Sequence, residues 1–274
     1  MKRILHISDL HFGPWFNPAP AQGVLRFCED TRPDCIIISG DLTQRAKPRE
    51  FEQVREYLAS LNKFAKTIVV PGNHDIPLYR VWERAFSPYG LYRKFVNKDL
   101  NGVHVWDDVG VVAVNSTHPY LKITEGRYNQ QLDELCNKGF GAAASDSLRV
   151  LVMHHNLMPF LRQKRVKLPH RSKLLLEILN RHKIDILLSG HAHQAYILEA
   201  VDLFSSYGTT YDSLIVNCGT TTSLRGRGNE RQKNTLNIIV TTESNIEIAH
   251  HMFDAQSGRF LPASTHRFPR ATRL

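Results

Sequence analysis

Lys66-Thr67-Ile68-Val69-Val70 runs directly into Pro71-Gly72-Asn73-His74-Asp75, and this junction decides the fold. The first five residues are mostly β-branched, the composition of a buried strand. The next five pair turn formers with an amide, an imidazole and a carboxylate, so polar chemistry sits at the end of a strand. Four more apolar runs stop in the same way. Arg3-Ile4-Leu5-His6-Ile7 precedes Asp9-Leu10-His11, and Cys35-Ile36-Ile37-Ile38 precedes Gly40-Asp41. Arg149-Val150-Leu151-Val152-Met153 precedes His154-His155, and Ile184-Asp185-Ile186-Leu187-Leu188 precedes Gly190-His191-Ala192-His193. Ligands of open α/β sheets bind beyond the carboxyl ends of the strands, so five loops are expected to build one site.

The connections agree. Gln22 to Thr31 reads as a helix burying Val24, Leu25 and Phe27, and Pro48 opens another with Phe51, Val54, Leu58 and Leu61 on one stripe. Strand, helix, strand at this spacing is a parallel crossover unit. Gly102 to Trp106 and Val109 to Asn115 read as two strands about a tight turn, and more strands are expected around Ile197, Leu214 to Val216, Leu236 to Val240 and Ile246 to Ile248. The aromatics of 76–100 (Tyr79, Trp82, Phe86, Tyr89, Tyr92, Phe95) are expected to face the core from irregular helices.

A chain of 274 residues buries a large core unaided, and site loops running from Asp9 to His193 argue for a single domain over 1–274. Its core is expected over about 1–250, with a C-terminal tail over about 251–274 held loosely from Pro262. No apolar run reaches the roughly 18 residues of a membrane span, and Met1-Lys2-Arg3 leads into a strand, so a cytoplasmic protein is expected. Cys28, Cys35, Cys136 and Cys218 form no C-x-x-C pair and read as buried thiols. The formal charge of +9 favours anionic partners. Residues 161–173 carry Arg162, Lys164, Arg165, Lys167, Arg171 and Lys173 without an acid, and Arg225, Arg227, Arg231 and Lys233 form a second basic cluster.

Asp9, His11, Asp41, Asn73, His154, His191 and His193 supply three oxygen and four nitrogen donors, more than one tetrahedral metal uses. The inventory fits two metals, and mixed imidazole and carboxylate donors suit Mn, Fe or Zn rather than an all-oxygen Mg or Ca cage. A dinuclear site generates hydroxide near neutral pH and clamps both oxygens of an in-line displacement at phosphorus, so phosphoester hydrolysis is the chemistry it suits.

The motifs D-x-H (Asp9-Leu10-His11), G-D (Gly40-Asp41), G-N-H-D (Gly72-Asn73-His74-Asp75), H (His154) and G-H-x-H (Gly190-His191-Ala192-His193) resemble, in this order, those of the calcineurin-like metallophosphoesterases. The resemblance covers roughly residues 1–220. It implies a four-layer αββα sandwich of two mixed β-sheets flanked by helices. It implies that Asp9, His11 and His193 hold one metal, that Asn73, His154 and His191 hold the other, and that Asp41 bridges them. His154 is preferred over His155 because in relatives the histidine immediately after the strand is the ligand. His74 is then the imidazole that contacts the phosphate and assists the leaving oxygen. Many relatives carry a second Asp three residues after the G-D motif to orient that histidine; here the position is Gln44.

Gly40-Asp41-Leu42-Thr43, Pro48-x-Glu50-Phe51, His154-His155 and Gly126-x-x-x-x-Gln131-Leu132 look like the class III cyclic-nucleotide phosphodiesterase branch. A phosphodiesterase for small or nucleotide phosphodiesters such as 3',5'-cyclic AMP is therefore expected, acting by attack of a metal-bridged hydroxide. The alternative is a nuclease or lipid-linked pyrophosphate hydrolase that docks nucleic acid or an anionic membrane through 161–173. A non-catalytic metal-binding scaffold is disfavoured by the intact donor set. His118, Asn156 and Arg225 are candidate substrate contacts.

Overall fold

The computed structural model describes residues 1–106, 108–121, 126–128, 130–157 and 172–270. The first half of the chain contains β1 (Lys2–Ile7), α1 (Pro18–Thr31), β2 (Cys35–Ile38), α2 (Pro48–Leu61), β3 (Lys66–Val69), α3 (Val81–Phe86) and α4 (Gly90–Phe95). It continues with β4 (Gly102–Trp106), β5 (Val109–Ala113), α5 (Gln130–Gly141), β6 (Leu148–Val152), α6 (Ser172–Arg181), β7 (Ile186–Ser189) and β8 (Tyr196–Glu199). α7 (Ala200–Phe204), β9 (Leu214–Asn217), β10 (Thr235–Thr241), β11 (Asn245–Asp254) and β12 (Arg259–Pro269) complete it.

Two mixed sheets result, with strand orders β12-β11-β10-β1-β2-β3 and β4-β5-β6-β7-β9-β8. The strands that carry polar loops pair in parallel, β1 with β2 and β2 with β3 in one sheet, β5 with β6, β6 with β7 and β7 with β9 in the other. Their carboxyl ends therefore share one edge.

Alternation along each strand divides the apolar side chains between two faces. Ile4, Ile37, Val111, Val150, Val152, Ile186 and Leu188 meet between the sheets. Leu5, Ile7, Ile36 and Ile38 point outward to α1 and α2, and Val112, Leu151 and Leu187 point outward to α5 and α6. Strands covered on both faces read as unbroken apolar runs, which is why the sequence shows them so plainly. Helix, sheet, sheet, helix is the αββα sandwich that the motifs imply. Phe51 on α2 is fully buried in the first outer layer, and truncating such a side chain to Ala costs about 3–5 kcal/mol.

α1 begins earlier than its apolar stripe predicts: Asn17 caps it by accepting from the Ala19 amide, and Pro18 occupies its first turn. The tail expectation is corrected outright. β12 pairs with β11 from Asn245↔Pro269 to Asp254↔Arg259, so residues 259–269 are an ordered strand. Its prolines hid it. Pro262 lies opposite His251, where the register shifts at a bulge on the edge strand, a position that tolerates a missing N–H. The core-facing expectation for 76–100 is also corrected: Tyr92 is buried, but Tyr79, Trp82 and Phe86 are among the most exposed large side chains described. All four cysteines are buried free thiols. Among the described residues no helix is long and apolar enough to cross a membrane. Of the basic stretch 161–173 only Ser172 and Lys173, at the start of α6, lie within the described residues.

Candidate metal centre

Each strand end turns sharply into its loop. Asp9, His11, Asp41, His191 and His193 all adopt positive φ, between 49° and 70°, in the left-handed region. Such a conformation costs a non-glycine residue of the order of 1 kcal/mol or more and persists only where the surroundings impose it. Here they do: the Asp9 amide donates to Gly40 O, His11 to Asp41 O and Phe12 to Leu42 O, so the first two loops are laced together. The turn at Gly72 brings the chain against Asp41, and a Cβ there would lie 2.1 Å from the Asp41 amide nitrogen.

These turns aim donors at two adjacent points. Ligand atoms of Asp9, His11, Asp41 and His193 lie within 4.8 Å of one another, and so do those of Asp41, His154 and His191. In the first group His193 Nε2 is 3.1 Å from His11 Nε2 and 3.1 Å from Asp9 Oδ1. In the second, Asn73 Oδ1 is 3.0 Å from His154 Nε2 and 2.9 Å from His191 Nδ1. Asp41 belongs to both, with Oδ2 3.7 Å from His11 and Oδ1 3.4 Å from His154.

The arrangement suits cations. Among the described residues, Asp9 Oδ1 and Asp41 Oδ2 are buried with no hydrogen-bond partner, a costly state for a carboxylate oxygen unless a cation completes it. Their other oxygens are occupied, Asp9 Oδ2 by Ser8 Oγ and the His191 amide, Asp41 Oδ1 by the His74 amide. The rings are aimed by backbone carbonyls: His154 Nδ1 donates to Ser39 O at 2.8 Å and His193 Nδ1 to Arg225 O at 2.9 Å. That leaves each Nε2 facing the centre, the tautomer that a ligand histidine needs.

Electrostatics tell the same story. Burial would raise both carboxyls, but His193 and His11 beside Asp9, and His154 and His74 beside Asp41, hold them well below the ordinary range. Burial would lower His154, yet the charges of Asp41 and Asp9 raise it to about 9. In the metal-free protein a proton on His154 thus offsets carboxylate charge that a metal would neutralise. Burial lowers His11 to about 4, which keeps its ring neutral and able to donate a lone pair.

His155 turns away: its Nδ1 pairs with Ser116 Oγ at 2.9 Å, so His154 is the histidine of the pair that enters the cluster. His74 stands at the rim. Its Nδ1 donates to the backbone carbonyl of Gln44 at 2.9 Å, and its Nε2 faces Arg225 Nη1 at 3.0 Å. The loop holding Gln44 is itself fixed by Glu50, which accepts the amides of Arg45 and Lys47. Arg225 also donates to Gln44 Oε1 at 3.2 Å. Of the three candidate substrate contacts, the fold brings Arg225 to the cluster. His118 lines a separate cavity, and Asn156 is half-buried in the loop after β6. Sequence reading missed the loop after β9, where Thr220 Oγ1 and Thr222 Oγ1 donate to the carbonyls of Asp9 and Leu10 and brace the first loop. Its signal was a polar run, Thr220 to Ser223, directly after an apolar strand.

Residues 2–195 match the family described as Calcineurin-like phosphoesterase. A relative from Synechococcus sp. named "Probable cyclic nucleotide phosphodiesterase" is 29% identical over 210 residues, covering 71% of this chain and 74% of the relative. Among solved structures, a purple acid phosphatase from yellow lupin superposes with a TM-score of 0.70 at 12% identity, over 98% of this chain and 54% of that one. A dimetal phosphatase from Danio rerio gives a TM-score of 0.63 at 10% identity, over 98% and 99%. At these identities the solved structures speak for the fold alone.

Proposed function

We propose that this chain, which belongs to the calcineurin-like phosphoesterase family, is a dinuclear-metal phosphodiesterase for small or nucleotide phosphodiesters, 3',5'-cyclic AMP among them. It is a phosphoric ester hydrolase by family; the diester preference rests on the name of the Synechococcus relative. The observation that carries the two-metal reading is Asp41, whose carboxylate is common to both donor groups and keeps one buried oxygen unpaired.

On this reading Asp9, His11, Asp41 and His193 hold one ion, and Asp41, Asn73, His154 and His191 the other, with Mn, Fe or Zn suited to the donors. Ions bound there supply Lewis acidity toward the attacking water and the phosphoryl oxygens. The rest falls to the chain. Arg225 Nη1 donates to His74 Nε2 at 3.0 Å at the rim; with substrate bound, the guanidinium is placed to bind a non-bridging oxygen and His74, once protonated at Nε2, to protonate the leaving oxygen. Carbonyl anchoring of Nδ1 leaves Nε2 as the position where His74 gains or gives a proton. Gln44 brings no charge to stabilise an imidazolium. The buried thiols, none in a disulfide, accord with the expected cytoplasmic setting.

Metal analysis of the purified protein, coupled to hydrolysis of bis(p-nitrophenyl) phosphate before and after chelation and Mn²⁺ add-back, tests this. Two metals per chain with chelator-sensitive diesterase activity are expected. Bound metal without turnover on mono- or diesters would overturn the catalytic reading in favour of a scaffold.

A further inference from the structure

α3 has no buried residue, although it carries Val81, Trp82 and Phe86. Trp82 is 76% exposed, Phe86 80% and, just before the helix, Tyr79 78%. The two rings of the helix stack on each other at 6.0 Å in place of a core. Tyr120 extends the ridge from another loop: its hydroxyl donates to Ala85 O at 2.8 Å and its side chain is 69% exposed. The ridge is rigidly mounted. Arg80 donates to the carbonyls of Arg45 and Ala46, and Arg84 to that of Pro77. A fixed, contiguous run of exposed aromatics marks a binding surface, unlike single apolar side chains scattered over a surface.

Its neighbour is polar. His118, in edge contact with Tyr120 at 5.7 Å, lines a cavity of about 540 Å³ together with Tyr89, Arg93, Lys98, Asp99 and Arg127. Asp99 is the sole acid on that wall among the described residues. Between residues 78 and 98 the chain has Arg80, Arg84, Arg93, Lys94 and Lys98 against Glu83 alone. Amphipathic aromatics beside a cationic pocket are the two signals that together hold a protein at a lipid interface, each marginal by itself.

We propose that the ridge of Tyr79, Trp82, Phe86 and Tyr120 and the adjoining Arg93, Lys98 and Arg127 pocket dock this enzyme on an anionic lipid bilayer, the rings entering the interface and the pocket receiving a phosphate headgroup. The charge complementarity selects the occupant: a second copy would set this cationic rim against itself. The proposal is independent of which ester the cleft hydrolyses.

The test is co-sedimentation of the metal-loaded full chain with phosphatidylcholine vesicles, with and without phosphatidylglycerol. Binding is expected only to the anionic vesicles, and it weakens with salt. The pair Trp82→Ser/Phe86→Ser abolishes it, and Arg93→Gln/Arg127→Gln weakens it by roughly tenfold or more. Both pairs keep wild-type turnover of bis(p-nitrophenyl) phosphate, which also shows that they fold. Failure to bind anionic vesicles, or binding that the Trp82/Phe86 pair retains, overturns the proposal. So does a dimer, seen by light scattering, that the Trp82/Phe86 pair dissolves while vesicles stay unbound. Calorimetric binding of sn-glycerol 3-phosphate by a protein that ignores vesicles would reassign the pocket to soluble anions.

Discussion

His74 donates its Nδ1 hydrogen to the backbone carbonyl of Gln44 at 2.9 Å, while the Gln44 side-chain oxygen turns to Arg225. The orienting group is therefore one that any residue at position 44 supplies. Gln44→Ala should keep turnover of a chromogenic diester within about fivefold, whereas His74→Ala should lose about 10²–10⁴-fold, the range of general acid–base assistance. A loss in Gln44→Ala equal to that in His74→Ala would refute the carbonyl anchor.

Asp41 is the one carboxylate common to both donor groups among the described residues. Asp41→Asn should release both metals and abolish turnover, while His193→Ala and Asn73→Ala should each chiefly weaken one ion. Elemental analysis of the three purified variants decides it, and near-stoichiometric retention of both metals in Asp41→Asn would be fatal to the bridging role.

Gly72 owes its identity to space. A Cβ there would lie 2.1 Å from the Asp41 amide nitrogen and 2.2 Å from Oδ1, and backbone on that side has no room to yield. Gly72→Ala should cost about 1–3 kcal/mol or more, as overpacking does. It should also displace Asp41 and lower the metal content. A urea midpoint and metal content equal to wild type would show that the loop relaxes freely.

Stability should fall in mild acid. Burial pushes His6, whose Nε2 lies 2.9 Å from Ser39 Oγ, down to about 3, and pushes His250 down to about 4 with His251 and His266 adding to the effect. Unfolded, both histidines take a proton near pH 6.5, so below that pH the unfolded chain binds more protons than the folded one. Stability is therefore complete above about pH 6.5 for these two groups and drains as pH falls toward about 4, by up to about 1.4 kcal/mol per pH unit for each. His154, raised to about 9, is protonated in both states by about pH 5.5 and does not offset this lower limb. The urea midpoint of the chelated protein should fall steadily between about pH 6 and 4.5. A midpoint constant over that range would show that His6 and His250 stay charged when folded.

Strand-end chemistry was legible because it is local. A strand buried on both faces must be an apolar run, and a ligand at its end must interrupt that run with a polar residue, so Asp9, Asp41, Asn73, His154 and His191 announced themselves. The choice of His154 over His155 came from the resemblance to relatives; in the structure His154 Nδ1 donates to Ser39 O and His155 Nδ1 pairs with Ser116 Oγ.

Other features lay beyond one-dimensional reading. Exposed and buried aromatics look alike in sequence, so Tyr92 could not be told from Trp82; only packing leaves α3 without a core to join. β12 was hidden because Pro262 and its charged neighbours read as a tail, and an edge strand tolerates both.

By itself the sequence determined the parallel strand ends and the seven metal-donor candidates, because periodicity and strand-terminal punctuation are properties of neighbouring residues; the family came from the resemblance of the ordered motifs. The tertiary structure alone decided that Arg225 meets His74 across 151 residues, that carbonyls of Ser39, Gln44 and Arg225 set the ring tautomers, and that an aromatic ridge stands in solvent. Those relationships depend on which distant backbone passes close by, and no local pattern encodes that distance.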